Sequence, residues 1–322
     1  MPGIHHVTAI CGKPTHNLDF YTRILGLRFV KKTVNFDDPG TYHLYYGDEV
    51  GHPGTILTFF PWEHAVPGRG GVGFAQETAF RVPATSLGYW THRLVEKGVE
   101  HGAIERRFDE PVLTFFDPDG MRLALVGVDG AENEKRWSNG EIPAEHAILG
   151  FHGITLMLAA ADPTGAILTD VFSFEAVVRD GTLVRYRAGS AGVGNVVDIR
   201  EAGDFLPGRM GRGSVHHIAF RAADDADQAA MSEKVSRNHG LNHTDQKDRQ
   251  YFRSVYFREP GGLLFEIATD QPGFAVDEPI DRLGTELKLP GFLEPRRKEL
   301  EAVLPDLTLS ITASNEPRDS GL

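Results

Sequence analysis

The sequence predicts an α+β fold of four βαβββ modules forming two domains, each an open, curved mixed β-sheet barrel with helices outside. Three observations carry this expectation. A histidine pair opens two distant apolar runs, "GIHHVTAIC" (3–11) and "GSVHHIAFR" (213–221). Two further segments, "FFDPDGMRLALV" (115–126) and "YFREPGGLLFEI" (256–267), share one pattern. Each reads as strand, Asp/Glu-Pro-X-Gly turn, strand, since proline presets φ and glycine accepts positive φ in such turns. Finally, the order strand, helix, three strands can be traced four times along the chain.

In the first module "HHVTAIC" precedes the helical "THNLDFYTRILG", then "LRFVKKTVNF", "TYHLYYG" and "GTILTFF". The second carries the amphipathic helix "SLGYWTHRLVEKG", with Leu87, Trp90, Leu94 and Val95 expected on one face and Gly98 as the stop. In the third, "FHGITLML" leads to "DPTGAILTDVFSF", "EAVVRD", "LVRYRAG" and "GNVVDIRE". The fourth opens on "HHIAFR", continues through "DADQAAMSEKVSRNHG" with Gly240 as its stop, and closes on the second acidic-proline turn. The expected organisation is an N-terminal domain of two modules over 1–130, a polar, turn-rich linker over 131–148 and a C-terminal domain of two modules over 149–270. A tail over 271–322 follows, with a short charged helix in "EPRRKELEAVL" and a loose end.

Composition narrows the function. Apolar residues make up 41% and charged residues 24%, as in globular proteins. The net charge is −12 and lysine and arginine cluster only in "EPRRKE", which argues against nucleic acid or an anionic membrane as partner. No apolar stretch is long enough to span a bilayer and no signal-like N-terminus is present, so a cytoplasmic location is expected. The single cysteine, Cys11, excludes an internal disulfide and reads as a small buried apolar residue. A homo-oligomer is expected.

Superposing the modules gives each a slot in its first strand and another in its last. Module one places His5–His6 in the first slot and Thr58 in the last; module four places His216–His217 and Glu266. Module two has Ala124 where module four has Glu266, and module three has Gly153 in the histidine slot and Asp198 in the last strand. Two imidazoles and one carboxylate form the facial set of non-haem Fe(II) enzymes, which leaves coordination positions open for substrate and O2. Adjacent side chains on a strand point to opposite faces, so each pair supplies one ligand, and His6 and His217 are the expected ones. Their neighbours His5 and His216 would reach the site only if the strand bulged. The expected metal is therefore Fe(II), with Mn(II) compatible with the same donors, held by His6, His217 and Glu266. His152, before the empty Gly153 slot, reads as a relic, and His43 as a residue that could line a cavity.

Strand-helix-three-strand modules with ligands on their terminal strands resemble the vicinal oxygen chelate (glyoxalase/bleomycin-resistance/dioxygenase) superfamily. More closely, "HHVTAICG", "RFVKKTVNFDD", "YHLYYGDEVGHPGTILTFFP", "GFHGITL", "HHIAFR", "DRQYFRSVYFREPGGLLFEIATD" and "LGTELKLPGFLEPRR" resemble ring-cleaving dioxygenases acting on para-hydroquinones. The resemblance implies the same three metal ligands and pocket roles for Thr8, His5, His216, Arg249 and Tyr256. His216 or His5 would act as general base, Arg249 would orient the remote hydroxyl, and Tyr256 would donate a hydrogen bond to an aromatic or dioxygen-derived oxygen. The implied partners are a small aromatic substrate and O2. Three rival readings stand beside it. A glyoxalase-type isomerase or lyase needs a second carboxylate where Thr58 stands. An extradiol catechol dioxygenase usually takes its ligands from the last two modules, where Gly153 intervenes. A non-catalytic aromatic-binding resistance protein has no need of a complete triad.

Overall fold

The computed structural model describes residues 2–189 and 192–307. Four βαβββ units follow one another. The first comprises β1 (Ile4–Cys11), α1 (Pro14–Asp19, continued by a π turn, Phe20–Ile24), β2 (Arg28–Asn35), β3 (Asp38–Gly47) and β4 (Ile56–Pro61). The second comprises β5 (Phe74–Pro83), α2 (Leu87–Glu96), β6 (His101–Arg107), β7 (Glu110–Phe116) and β8 (Arg122–Val128). The third has β9 (Phe151–Leu158), α3 (Asp162–Asp170), β10 (Glu175–Asp180), β11 (Leu183–Arg187) and β12 (Val196–Glu201). The fourth has β13 (Ser214–Ala222), α4 (Asp225–His239), β14 (Lys247–Asp248), β15 (Arg253–Arg258) and β16 (Leu264–Thr269). A short helix, α5 (Arg297–Val303), lies in the tail.

Helix α4 is capped at both ends. Asp224 accepts the Asp227 N–H at the start of α4, and Gly240 takes the left-handed conformation, φ 63°, at its end. On α2 the buried stripe is Leu87, Trp90 and Leu94, whereas Val95 is 62% exposed. At 100° per residue, position 95 falls outside the arc spanned by the other three, which corrects the expected face.

Strand pairing does not follow the two halves of the chain. One eight-stranded sheet runs β14-β15-β16-β13-β1-β4-β3-β2 and joins the first unit to the fourth. The other runs β10-β11-β12-β9-β5-β8-β7-β6 and joins the third to the second. Each barrel is thus formed across the division between 1–130 and 149–270. The pairings responsible are long-range: β1 pairs antiparallel with β13, and β5 with β9, each joining strands of separate halves.

Two further devices bind the units. The acidic-proline turns are closed by their own carboxylates: Asp117 accepts the Asp119 and Met121 N–H groups, and Glu259 those of Gly261 and Leu263. Each carboxylate also takes a hydroxyl from the preceding unit, Tyr21 onto Asp117 and Thr164 onto Glu259. The connectors "VPGRGGVG" and "LPGRMGRG" form the second device. They interlock: Arg69 and Arg209 exchange backbone hydrogen bonds at 2.9 and 2.8 Å, Val72 donates to Leu206, and Arg212 donates to Val66. The approach leaves no room for side chains. A Cβ on Gly71 would stand 2.4 Å from the Leu206 carbonyl oxygen, and one on Gly211 would stand 2.2 Å from that of Val66.

The tail is built into the molecule. Phe274, Leu283, Leu289, Leu293, Leu300 and Leu304 are buried in it. Lys31 on β2, wholly buried, meets Asp277 and Glu278 of the tail at 2.5 Å each and lies over the Tyr251 ring. The expected loose end from 308 onward lies outside the described residues. Cys11 is fully buried.

Ion pairs fill the second sheet's equivalent face. Glu77 pairs with Arg107 and Arg122, and Arg185 bridges Asp198 and Glu110, while His152 also reaches Glu110 at 3.1 Å. Burial opposes ionisation of Glu110, yet His152 and Arg185 outweigh it and hold the carboxyl at about 2.

Two outcomes follow from these contacts. Gly211→Ala should lower unfolding free energy in urea by roughly 1–3 kcal/mol, because the backbone at Val66 must give way. A depressed carboxyl stabilises the fold above its unfolded pKa, and that stability is lost as pH falls toward the folded value. Stability measured between pH ~4.5 and about 2 should therefore decline less steeply in Glu110→Gln than in the parent protein.

Candidate metal centre and substrate cavity

The β1–β13 ladder explains both histidine pairs. Its register runs Ile4↔Phe220, His6↔Ala219, Thr8↔His217, Ala9↔Val215. One residue too many therefore lies on β1 at His5, and one on β13 at His216. Each is a β-bulge, and a bulge turns two successive side chains toward one side. In consequence His5 Nδ1 lies 2.9 Å from His6 Nδ1, and His216 Nδ1 lies 2.8 Å from His217 Nδ1. Alternation singles out His6 and His217 as the candidate ligands, and the bulges return their neighbours to contact.

The remaining nitrogens converge. His6 Nε2 and His217 Nε2 are 3.4 Å apart, and they stand 3.3 and 3.0 Å from Glu266 Oε2. Glu266 is paired in register with Ala219, the partner of His6, which brings the carboxylate into the same row. Its other oxygen accepts the Ser254 hydroxyl. Oε2 itself is fully buried and makes no hydrogen bond. Burying such an atom costs on the order of several kcal/mol unless something compensates it. Burial favours the neutral acid, but His6 and His217 keep the Glu266 carboxyl well below its ordinary range.

Two imidazoles, a charged carboxylate and one unsatisfied oxygen facing a common point fit a divalent metal. Donors about 2.1 Å from a shared centre at right angles would be about 3.0 Å apart, close to the spacings found. With a metal on Nε2, each of these two imidazoles would carry its proton on Nδ1 and donate to the neighbouring histidine. His5 then passes its own Nε2–H to the Thr269 carbonyl. Hydrogen bonds of this kind fix ring orientation and tautomer.

A cavity of about 380 Å³ opens beside the triad, lined in part by His43, Tyr45, Phe60, His216, His217, Arg249 and Tyr256. Arg249 Nε donates to the Tyr256 hydroxyl at 3.3 Å, and burial raises that phenol well above its usual value. Of the residues expected from the sequence, His216, His217, Arg249 and Tyr256 border the cavity. His5 does not; it lies behind His6 against the Phe252 ring. Thr8 is also buried, and its hydroxyl accepts from Thr58, whose hydroxyl in turn bonds His43. The Thr58 slot is therefore taken up in a hydrogen-bond chain and offers no base. His216 is pushed down to about 3 by burial and the neighbouring His217, so its imidazole is neutral.

Sequence reasoning missed Asp37, Tyr45 and Ser254. The Asp37 carboxylate meets Arg249 at 2.8 Å across the cavity mouth, Tyr45 donates to His43, and Ser254 holds the ligand carboxylate. Only Ser254 left a signal, since alternation on β15 puts it on the same face as Tyr256, opposite the β16 carboxylate.

The second sheet has the same ladder without a centre. Ala79↔Gly153 and Ala79↔Ala124 match Ala219↔His6 and Ala219↔Glu266. A Cβ on Gly153 would stand 2.3 Å from the Val196 carbonyl oxygen, so no imidazole fits there. Among the described residues, one His/His/Glu cluster is positioned for a metal.

Comparison with known proteins agrees with this architecture. Residues 3–125 match the family model described as the Glyoxalase/Bleomycin resistance protein/Dioxygenase superfamily. The chain is 47% identical over 300 residues to "Putative ring-cleaving dioxygenase MhqO" of Bacillus subtilis (strain 168), covering 93% of this chain and 94% of that protein. It is 35% identical to the chlorohydroquinone/hydroquinone 1,2-dioxygenase of Sphingobium indicum, covering 94% of this chain and 96% of that protein. The crystal structure of a "putative dioxygenase" from Bacillus subtilis subsp. subtilis str. 168 superposes with a TM-score of 0.90 at 45% identity, covering 95% and 97% of the two chains. Glyoxalase I from Zea mays shares the fold alone, with a TM-score of 0.62 at 11% identity, covering 84% of this chain and 93% of that one. The chain belongs to the glyoxalase/bleomycin resistance protein/dioxygenase superfamily, among its ring-cleaving dioxygenases.

Proposed function

We propose that this protein is a non-haem Fe(II)-dependent dioxygenase that opens the ring of a hydroquinone beside a hydroxyl-bearing carbon and inserts both atoms of O2. His6, His217 and Glu266 hold the metal. The observation that carries the reading is the convergence of two Nε2 atoms and the orphaned Glu266 Oε2 next to a cavity of aromatic dimensions. The name of the Sphingobium relative supports the substrate class. Bound Fe(II), or Mn(II) on the same donors, supplies Lewis acidity and a path for electrons between ring and dioxygen.

The chain's own groups do the rest. Three protein donors would leave coordination positions for substrate and O2. His5, His216 and Ser254 keep the donors from rotating. Arg249 favours an ionised ring oxygen by its charge, and Tyr256 donates a hydrogen bond at the same end. His216, with Nδ1 taken by His217, presents Nε2–H and orients an oxygen; serving as a general base would require that bond to break first. The aromatic walls at Tyr45 and Phe60 exclude water from the ring. Thr58 cannot serve as the second carboxylate of a glyoxalase-type reaction.

Three measurements test the assignment. After anaerobic Fe(II) loading, oxygen uptake should follow addition of hydroquinones; uptake with catechols alone would overturn the substrate class. Glu266→Gln should weaken iron binding at least about tenfold and reduce uptake with it, and unchanged iron content would remove Glu266 from the metal. Tyr256→Phe should keep its iron and lower kcat by roughly 10²-fold, read in steady-state oxygen consumption.

A further inference from the structure

We propose that Asp37 determines substrate charge: by occupying the Arg249 guanidinium at the cavity mouth, it restricts the site to hydroquinones without a ring carboxylate. The inference rests on the hydroquinone reading above and narrows it.

Asp37 sits in the turn between β2 and β3, and Arg249 in the loop between β14 and β15. β2 and β14 are the two edge strands of the first sheet, so this ion pair spans the open side of its barrel. Arg249 Nη2 donates to Asp37 Oδ2 at 2.8 Å, and Nε faces the Tyr256 hydroxyl. Both residues border the cavity, together with Lys247. The Asp37 carboxyl is held below its ordinary value by the hydrogen bond from Arg249, so it stays charged at neutral pH.

A guanidinium is the side chain best matched to a carboxylate, through parallel N–H donors. In this cavity the Nη2 donor is already taken by the protein's own carboxylate, and Nε by the Tyr256 hydroxyl. A ring carboxylate arriving at the mouth would have to share the guanidinium with Asp37 and lie beside a like charge. A neutral ring hydroxyl makes no such demand, since it needs one donor and leaves the ion pair in place. The loop carrying Arg249 is not free to retreat. Gln250 has φ 69° and donates to Asp277, which also accepts the Tyr251 hydroxyl and the Lys31 ammonium. Arg249 thus stays within reach of Asp37 because the tail fixes its neighbours.

The test is anaerobic binding to the Fe(II)-loaded protein, with hydroquinone and 2,5-dihydroxybenzoate as probes. The parent protein should favour hydroquinone. In Asp37→Asn, an isosteric change on an exposed turn, the selectivity ratio should shift toward 2,5-dihydroxybenzoate by roughly tenfold. Adding Arg249→Met to that variant should abolish the shift, which separates a released guanidinium from a general change of charge. An unmoved ratio in Asp37→Asn, or a shift that survives loss of Arg249, overturns the inference while leaving the hydroquinone assignment intact. Failure of the parent protein to bind hydroquinone at all overturns that assignment, and this inference with it.

Discussion

The antiparallel pairing of β1 with β13 is the contact on which the candidate centre depends. It joins the first unit to the last, and without it His6 and His217 would belong to separate sheets. The ladder also carries a bulge on each strand at the histidine pair. A regular strand would place one member of each pair on the far face. With the bulge, one imidazole of each pair turns its Nε2 to the centre while the other receives its Nδ1–H. A doublet of histidines therefore acts as a donor together with the group that orients it.

The same ladder exists in the second sheet, where it has a structural use. Gly153 has no room for a side chain, Ala124 offers no donor, and Glu77 is claimed by two arginines. His152 occupies the bulge position matching His5 but bonds Glu110. Fold symmetry alone supplies two equivalent sites, and side-chain chemistry leaves one of them able to bind a metal. In the second, charge is neutralised by charge. Such buried pairs cost desolvation and are compensated by close hydrogen bonds, so they hold the sheet without offering an open donor.

The cavity is shaped by segments outside the ladder. The tail buries apolar side chains along the first sheet and ends the charge of Lys31 in two carboxylates. Asp277 in turn anchors the loop that presents Arg249. The interlocked connectors with Gly71 and Gly211 bind the two sheets by backbone contact. Chain segments far from the metal ligands thus decide how wide the cavity is and which charges face it.

The sequence by itself determined the module order, the turns, the helix stops at Gly98 and Gly240 and the three side chains that converge as a candidate donor set. These follow from local rules: alternation along a strand, glycine at a left-handed cap, proline in a turn, and a donor set suited to a divalent metal. It also marked Gly153 and Ala124 as departures. Tertiary structure alone decided that each barrel is shared between chain halves, because strand partners are set by packing between distant segments. It alone showed that His5 lies behind His6 while His216 borders the cavity, since burial depends on what covers the strand. The exposure of Val95, the interlock of the two connectors and the ion pair of Asp37 with Arg249 have the same origin. Each depends on a contact between residues far apart in the chain, which no local pattern of spacing or polarity encodes.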